Sequence, residues 1–364
     1  MTDPIQYIKP AVRSISAYTL AARTAPVKVN QNENPYDLPP GLKRRVAEQA
    51  LARAWSRYPE FHPRELVDSL AAFSGWRADG ILAGNGSNEM IEALLLVTVG
   101  PGTRVLVPEP TFTLYGLLTR VLGGELVRAS LGPELDYDAE ELRRLRRELG
   151  APLTVVCSPN NPTGGLLPAE DVARLCADGD GLVVIDEAYH EFSGQTVVPL
   201  LARHPNLVVL RTFSKAMALA GLRVGYLLAS PELVREINKA RLPYNLNFFS
   251  QVAALAALEE WETLRANVER IVEAREGLLH RLYRIPGVRP YPSKANFVLF
   301  ELVEADPRAV FGALCDKGVL VRDVTSYPRL SRCLRVSVGS EAENEAFVSA
   351  LRHALEEERF RRAR

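Results

Sequence analysis

GLVVIDEAY at residues 181–189 and NLVVLRTFS at 206–214 each carry four successive apolar residues and then stop at polar ones. A strand with one wet face alternates apolar and polar residues, so short continuous runs of this kind read as strands covered on both faces. RVLVPEP (104–110), LTVVCSP (153–159) and VGYLLAS (224–230) repeat the pattern, with amphipathic stretches between them. From about residue 80 to 230 the chain therefore reads as an α/β domain, a mostly parallel central sheet with helices on both faces. Such sheets bind ligands beyond the carboxyl ends of their strands, and the polar clusters considered below follow apolar runs.

Past Pro243 the pattern changes. A helical periodicity starts near Phe248 and runs to about Tyr283, with Pro286 and Gly287 stopping it. Strand-like FVLFEL, a helix from about Pro307 to Lys317, strand-like VLVRDV and CLRVSVG, and a last helix over EAENEAFVSALRHALEEE then make a smaller α+β unit. Residues 1 to about 35 are irregular and rich in polar residues and proline, as expected of an arm lying on another surface.

A chain of 364 residues with 47% hydrophobic content can bury a core and divide into two domains. Lys+Arg and Asp+Glu both number 44, so no global field draws the chain to nucleic acid or to a membrane surface, and an anionic ligand must be caught by local charges. Cys157, Cys176, Cys315 and Cys333 form no CxxC pair and suit a reducing compartment. MTDPIQYIKPAVRS lacks the apolar core of a signal peptide, and no apolar stretch reaches bilayer length, which predicts a soluble cytoplasmic protein.

Four clusters carry candidate chemistry. Lys215, in Thr212-Phe213-Ser214-Lys215, sits at a strand end; alone it reads as a surface charge, but Arg223 returns close by as VGYLLAS begins. Ser214, Lys215 and Arg223 together could hold a phosphate monoester while the amine reaches a carbonyl. GNGSNE at 84–89 opens directly into a helix whose first N–H groups, at Ser87 and Asn88, suit an anion, although a plain structural cap reads the same way. Asp186, ending GLVVI, would favour a protonated pyridine nitrogen facing it, or serve as a helix cap; no carboxylate or histidine cluster around it has metal-ligand spacing. Asn161, in SPNNPTG at 158–164, lies in a rigid turn and has an amide that could donate to a phenolate oxygen.

SPNNPTG, DEAY, TFSK and GLRVGY, in this order and spacing, closely resemble the fold-type I pyridoxal-5'-phosphate (PLP) aminotransferases of class I/II. The similarity covers nearly the whole chain and is nearest to the histidinol-phosphate aminotransferases, through VNQNENPYDLP, RYPEFHPRELVDSLA, PTFTLY, LVRDV and LRVSVGS. The resemblance implies an enzyme that carries PLP as a Schiff base on Lys215, with Asp186 on the pyridine nitrogen and Asn161 and Tyr189 on the phenolate oxygen. It places the phosphate on Ser87, Asn88, Ser214 and Arg223, and on Tyr58 reaching across from a neighbouring subunit, so a homodimer is expected. Phe112 matches the aromatic that stacks on the ring; ordinary core packing is its other reading.

For the substrate, the resemblance points to Tyr18, Asn32, Arg322 and Arg335, of which Arg335 best suits a fork taking either carboxylate or phosphate. The implied reaction is transamination of L-histidinol phosphate with 2-oxoglutarate in histidine biosynthesis; aromatic amino-acid aminotransferases and threonine-phosphate decarboxylases share many of the motifs. The expected division is an arm at 1–35 contributing to small-domain and dimer contacts, a large PLP-binding domain at 36–243 and a small C-terminal domain at 244–364. Met217 and Ala218 replace an aromatic and a glycine common in close relatives, a change beside the lysine that bears on the shape of its pocket and so on the substrate more than on the cofactor. Regulators built on aminotransferase-like domains are disfavoured: they carry an added DNA-binding domain, whereas this chain has a short arm and no basic bias.

Overall fold

The computed structural model describes residues 3–15 and 23–362. Thirteen strands are defined among them: β1 (Val27–Lys28), β2 (Ile81–Gly84), β3 (Arg104–Glu109), β4 (Glu125–Ser130), β5 (Leu153–Cys157), β6 (Leu182–Asp186), β7 (Leu207–Thr212), β8 (Gly225–Leu228), β9 (Val288–Pro290), β10 (Phe297–Leu302), β11 (Val319–Leu320), β12 (Arg322–Asp323) and β13 (Cys333–Ser337). Seven of them form the main sheet in the order β2-β8-β7-β6-β5-β3-β4. Only β8 runs antiparallel to its neighbours. The central strands β5 and β7 are buried throughout, as continuous apolar runs require.

Successive side chains of a strand point to opposite faces, and the core divides accordingly. Val183 and Ile185 pack with the helices Pro40–Leu51, Arg64–Ser74 and Phe248–Glu259 on one side. Val184 faces the helices Ser87–Thr98 and Trp261–Tyr283 on the other. Each such buried Val, Leu or Ile contributes roughly 1.5–3 kcal/mol relative to an exposed one. A four-stranded antiparallel sheet, β12-β13-β10-β9, backs onto the last helix and has its own core around Phe300, Val336 and Phe347.

Three expectations change. The helix expected from Phe248 to Tyr283 is two helices, Phe248–Glu259 and Trp261–Tyr283. Glu260 leaves helical geometry at φ −97°, ψ 17° while Arg45 holds it at 3.2 Å and Trp261 turns edge-on to Phe73, so tertiary packing overrides a locally helical sequence. VLVRDV is not one strand: Val319 and Leu320 pair with β1, whereas Arg322 and Asp323 pair with β13. Residues 1 to about 35 are not irregular throughout, because Val27 and Lys28 run parallel to β11, and the Val29 carbonyl accepts the Ser337 N–H. No helix among the described residues is long and apolar enough to cross a membrane.

The registers set the site. Gly84 pairs with Gly225, Gly225 with Thr212, Asp186 with Leu210 and Cys157 with Asp186. The carboxyl ends of β2, β5, β6 and β7 therefore meet the start of β8 along one edge of the sheet. A loop from β12 to β13 closes over this edge, tethered by Arg329, whose guanidinium donates to the Leu131 and Gly132 carbonyls.

Candidate active site

A cavity at the carboxyl ends of the strands is bordered by the start of the helix Ser87–Thr98, which has no side-chain cap on its first backbone N–H groups. Arg223, in a left-handed turn at φ 53°, donates to the Ser214 hydroxyl at 3.0 Å. Two glycines let these pieces meet. Gly86 has φ 84°, and a Cβ there would lie 2.5 Å from the Arg223 guanidinium; one on Gly225 would lie 2.1 Å from the Ser87 nitrogen. Main chain cannot yield as a flexible side chain can. Gly225→Ala is therefore expected to cost about 1–3 kcal/mol of stability and to weaken phosphate binding at this end, checked by thermal unfolding and equilibrium dialysis of PLP.

At the middle of the cavity Asp186 is buried. Its Oδ2 accepts the Tyr115 hydroxyl at 2.6 Å and its Oδ1 accepts the Ala188 N–H at 3.0 Å. Burial pushes the carboxyl up to about 6, against the pull of these two donors. Asn161 meets Arg335, which donates to its Oδ1 at 2.5 Å and so turns the amide N–H₂ away from the guanidinium. The Tyr189 hydroxyl accepts from Asn32 Nδ2 at 3.0 Å, and Asn32 is anchored in turn by the Ser337 hydroxyl.

Lys215 borders the same cavity, its Nζ donating to the Gln31 carbonyl at 2.9 Å and standing 5.8 Å from the centre of the Tyr189 ring. Withdrawal from bulk water, then the positive charges of Arg335 and Arg223, lower its ammonium to about 7, with Glu33 opposing. An amine must be neutral to attack a carbonyl. With its ammonium lowered to about 7, Lys215 is far more readily neutral near pH 7 than an ordinary lysine, of which roughly one in three thousand is. The rate of covalent PLP capture by the apo protein should accordingly rise with pH through 7 and level off above it. A rate still climbing towards pH 10 in stopped-flow absorption would contradict this environment.

A guanidinium with uncapped backbone N–H groups, a buried carboxylate and a buried amine around one cavity match a molecule with a phosphate, a basic ring nitrogen and a carbonyl. The residues present thus fit PLP. The aminotransferase class I and II family matches residues 24–351. The chain belongs to that family. Histidinol-phosphate aminotransferase of Chlorobium phaeovibrioides is 39% identical over 351 residues, covering 96% of this chain and 97% of that protein. The protein of the same description from Chlorobium phaeobacteroides is 40% identical over 357 residues, covering 98% and 99%. The crystal structure of histidinol-phosphate aminotransferase from Sinorhizobium meliloti in complex with pyridoxal-5'-phosphate superposes with a TM-score of 0.88 at 26% identity, covering 96% of this chain and 98% of that one.

Most residues marked by the family resemblance border one cavity in this aminotransferase: Ser87, Asn88, Phe112, Asn161, Asp186, Tyr189, Ser214, Lys215 and Arg223, with Asn32, Arg322 and Arg335 from the substrate set. Tyr58 does not border it. That ring is 80% exposed and stacks on Tyr244 with centroids 4.4 Å apart. Tyr18 lies outside the described residues. Neither Met217 nor Ala218 borders this cavity: Met217 is core, and Ala218, at φ 55°, lines a separate cleft.

Sequence reasoning missed Gln31, Tyr115 and Tyr327. Gln31 touches Lys215 through its backbone, so its side-chain identity carries no signal. Tyr115 is three residues beyond Phe112, one turn of helix, a spacing that PTFTLY displays. Tyr327 reaches the cavity on the tethered loop, which no local pattern marks.

Proposed function

We propose that this aminotransferase is PLP-dependent and converts L-histidinol phosphate and 2-oxoglutarate to imidazole acetol phosphate and L-glutamate, a step of histidine biosynthesis. The observation that carries the substrate reading is the arginine pair bordering the cavity. Arg322 and Arg335 stand directly opposite each other in register on β12 and β13, and both border the Lys215 cavity. Like charges opposed on a sheet are unfavourable unless an anion lies between them. A substrate phosphate or carboxylate supplies it. The near full-length relatives of 39% and 40% identity support the same choice.

PLP, when bound, supplies an electrophilic carbonyl and a ring that draws electrons from a breaking C–H bond. The chain does the rest. Ser87, Asn88, Ser214 and Arg223 would hold its phosphate, and Asn161 and Tyr189 would donate to its phenolate oxygen. Asp186 would stabilise a protonated ring nitrogen. Lys215 would anchor the carbonyl carbon, and its amine is the group placed to move the substrate Cα proton. Phe112 would lie against the ring.

The reading extends to a cytoplasmic homodimer with the division into arm, large domain at 36–243 and small domain at 244–364. Trp55, Tyr58, Phe61, Leu242 and Tyr244 are exposed on neighbouring segments, with Phe61 edge-on to Tyr244, an apolar surface of the kind a second copy covers. Tyr58 would then serve the partner's cavity.

The test is a half-reaction. L-histidinol phosphate added to PLP-loaded protein without an oxo acid should convert the cofactor to its amine form rapidly and saturably, with phenylalanine at least tenfold less effective. Conversion by phenylalanine alone would overturn the histidine-pathway reading and leave the Lys215 chemistry standing.

A further inference from the structure

Beneath Asp186 lies a phenol that the reaction as described leaves without a task. Tyr115 is 0% exposed, and its hydroxyl donates to Asp186 Oδ2 at 2.6 Å. Its place is fixed from three sides. The helix Leu114–Val121 carries it, its carbonyl accepts the Thr119 hydroxyl at 2.8 Å, and its ring meets Phe112 edge-on with centroids 5.6 Å apart. Burial and the adjacent Asp186 charge push the phenol well above its ordinary range, so its proton stays on oxygen and it acts as a donor. The other carboxylate oxygen is held by the Ala188 N–H, which cannot take a proton either. Both oxygens of Asp186 are thus met by donors alone.

We propose that Tyr115 is a positioning residue that sets how the proton is shared between Asp186 and the ring nitrogen of PLP. A buried carboxylate that receives a phenol O–H is a weaker base than the same carboxylate without it. With Tyr115 in place the proton stays on the ring, the form that accepts electrons from the substrate Cα. Without it, Asp186 draws the proton back and the ring becomes a poorer acceptor. The oriented carboxylate also presents a fixed edge, because a hydroxyl on one oxygen and an N–H on the other prevent rotation.

The proposal rests on Asp186 facing the ring nitrogen, and the experiment separates the two claims. Wild type, Tyr115→Phe and Asp186→Asn are loaded with PLP labelled with nitrogen-15 in the ring, and the nitrogen resonance is recorded at one pH. Phe keeps the ring volume and the edge contact with Phe112. The expected outcome is a pyridinium resonance in wild type, a shift towards neutral pyridine in Tyr115→Phe, and a neutral resonance in Asp186→Asn. The half-reaction of Tyr115→Phe should slow about tenfold with little change in substrate half-saturation, as loss of one hydrogen bond to a charge implies. A Tyr115→Phe resonance identical to wild type overturns the role of Tyr115. A resonance that Asp186→Asn also leaves unchanged overturns the placement of Asp186 itself.

Discussion

Lys215→Ala is expected to leave a folded protein whose transamination falls at least about ten-thousandfold, since one residue is both the covalent anchor and the proton carrier. The fold should hardly notice the change. Lys215 Nζ donates to the Gln31 carbonyl, and withdrawal from water lowers its ammonium to about 7, so the charged form opposes folding and its removal takes no stabilising charge away. The phosphate end of the site does not depend on it: Ser214, Arg223 and the start of the helix Ser87–Thr98 are held by their own contacts. PLP should therefore still bind but exchange freely on dialysis. Unfolding temperature, PLP retention and half-reaction rate together check this. Normal turnover by the variant would sink the assignment of the lysine.

Asp186→Asn is expected to lower kcat about a thousandfold, roughly 4 kcal/mol, because a neutral amide does not hold a proton on the ring nitrogen. It should also cost stability. Tyr115 O–H and Ala188 N–H each give a hydrogen bond to the carboxylate, and an asparagine side chain offers one acceptor oxygen where the acid offers two. One buried donor is left unpaired or turned away, at about 1–3 kcal/mol. Denaturant midpoints measure the second effect and single-turnover rates the first. A variant that loses stability but keeps its rate would make Asp186 a structural cap at the end of β6 and nothing more.

Reading the chain as a sequence marked most of the residues that meet at the cavity, for a physical reason. Phosphate donors, acid and lysine each sit where an apolar run ends, and the runs are visible without knowing their neighbours. GLVVIDEAY announces both a two-sided buried strand and an acid at its mouth, and β6 carries Asp186 at its last position. The misreadings lie where long-range contacts outweigh local preference. The periodicity from Phe248 to Tyr283 has no proline or glycine break except Gly277, and the interruption at Glu260 follows from contacts to Arg45 and Phe73, far away in the chain. VLVRDV has the composition of one strand, yet Val321 passes it from one sheet to another.

What the sequence by itself determined is the α/β class and the kinds of charge at the strand ends, because periodicity and strand-end chemistry are local properties. Tertiary structure alone decided the pairings that make those groups work: Tyr115 on Asp186, the Gln31 carbonyl on Lys215, and Arg322 opposite Arg335. Each joins elements that only packing and register bring together. A hydrogen bond or a repulsion between such residues falls off over a few ångströms, and chain spacing alone does not specify separations that fine.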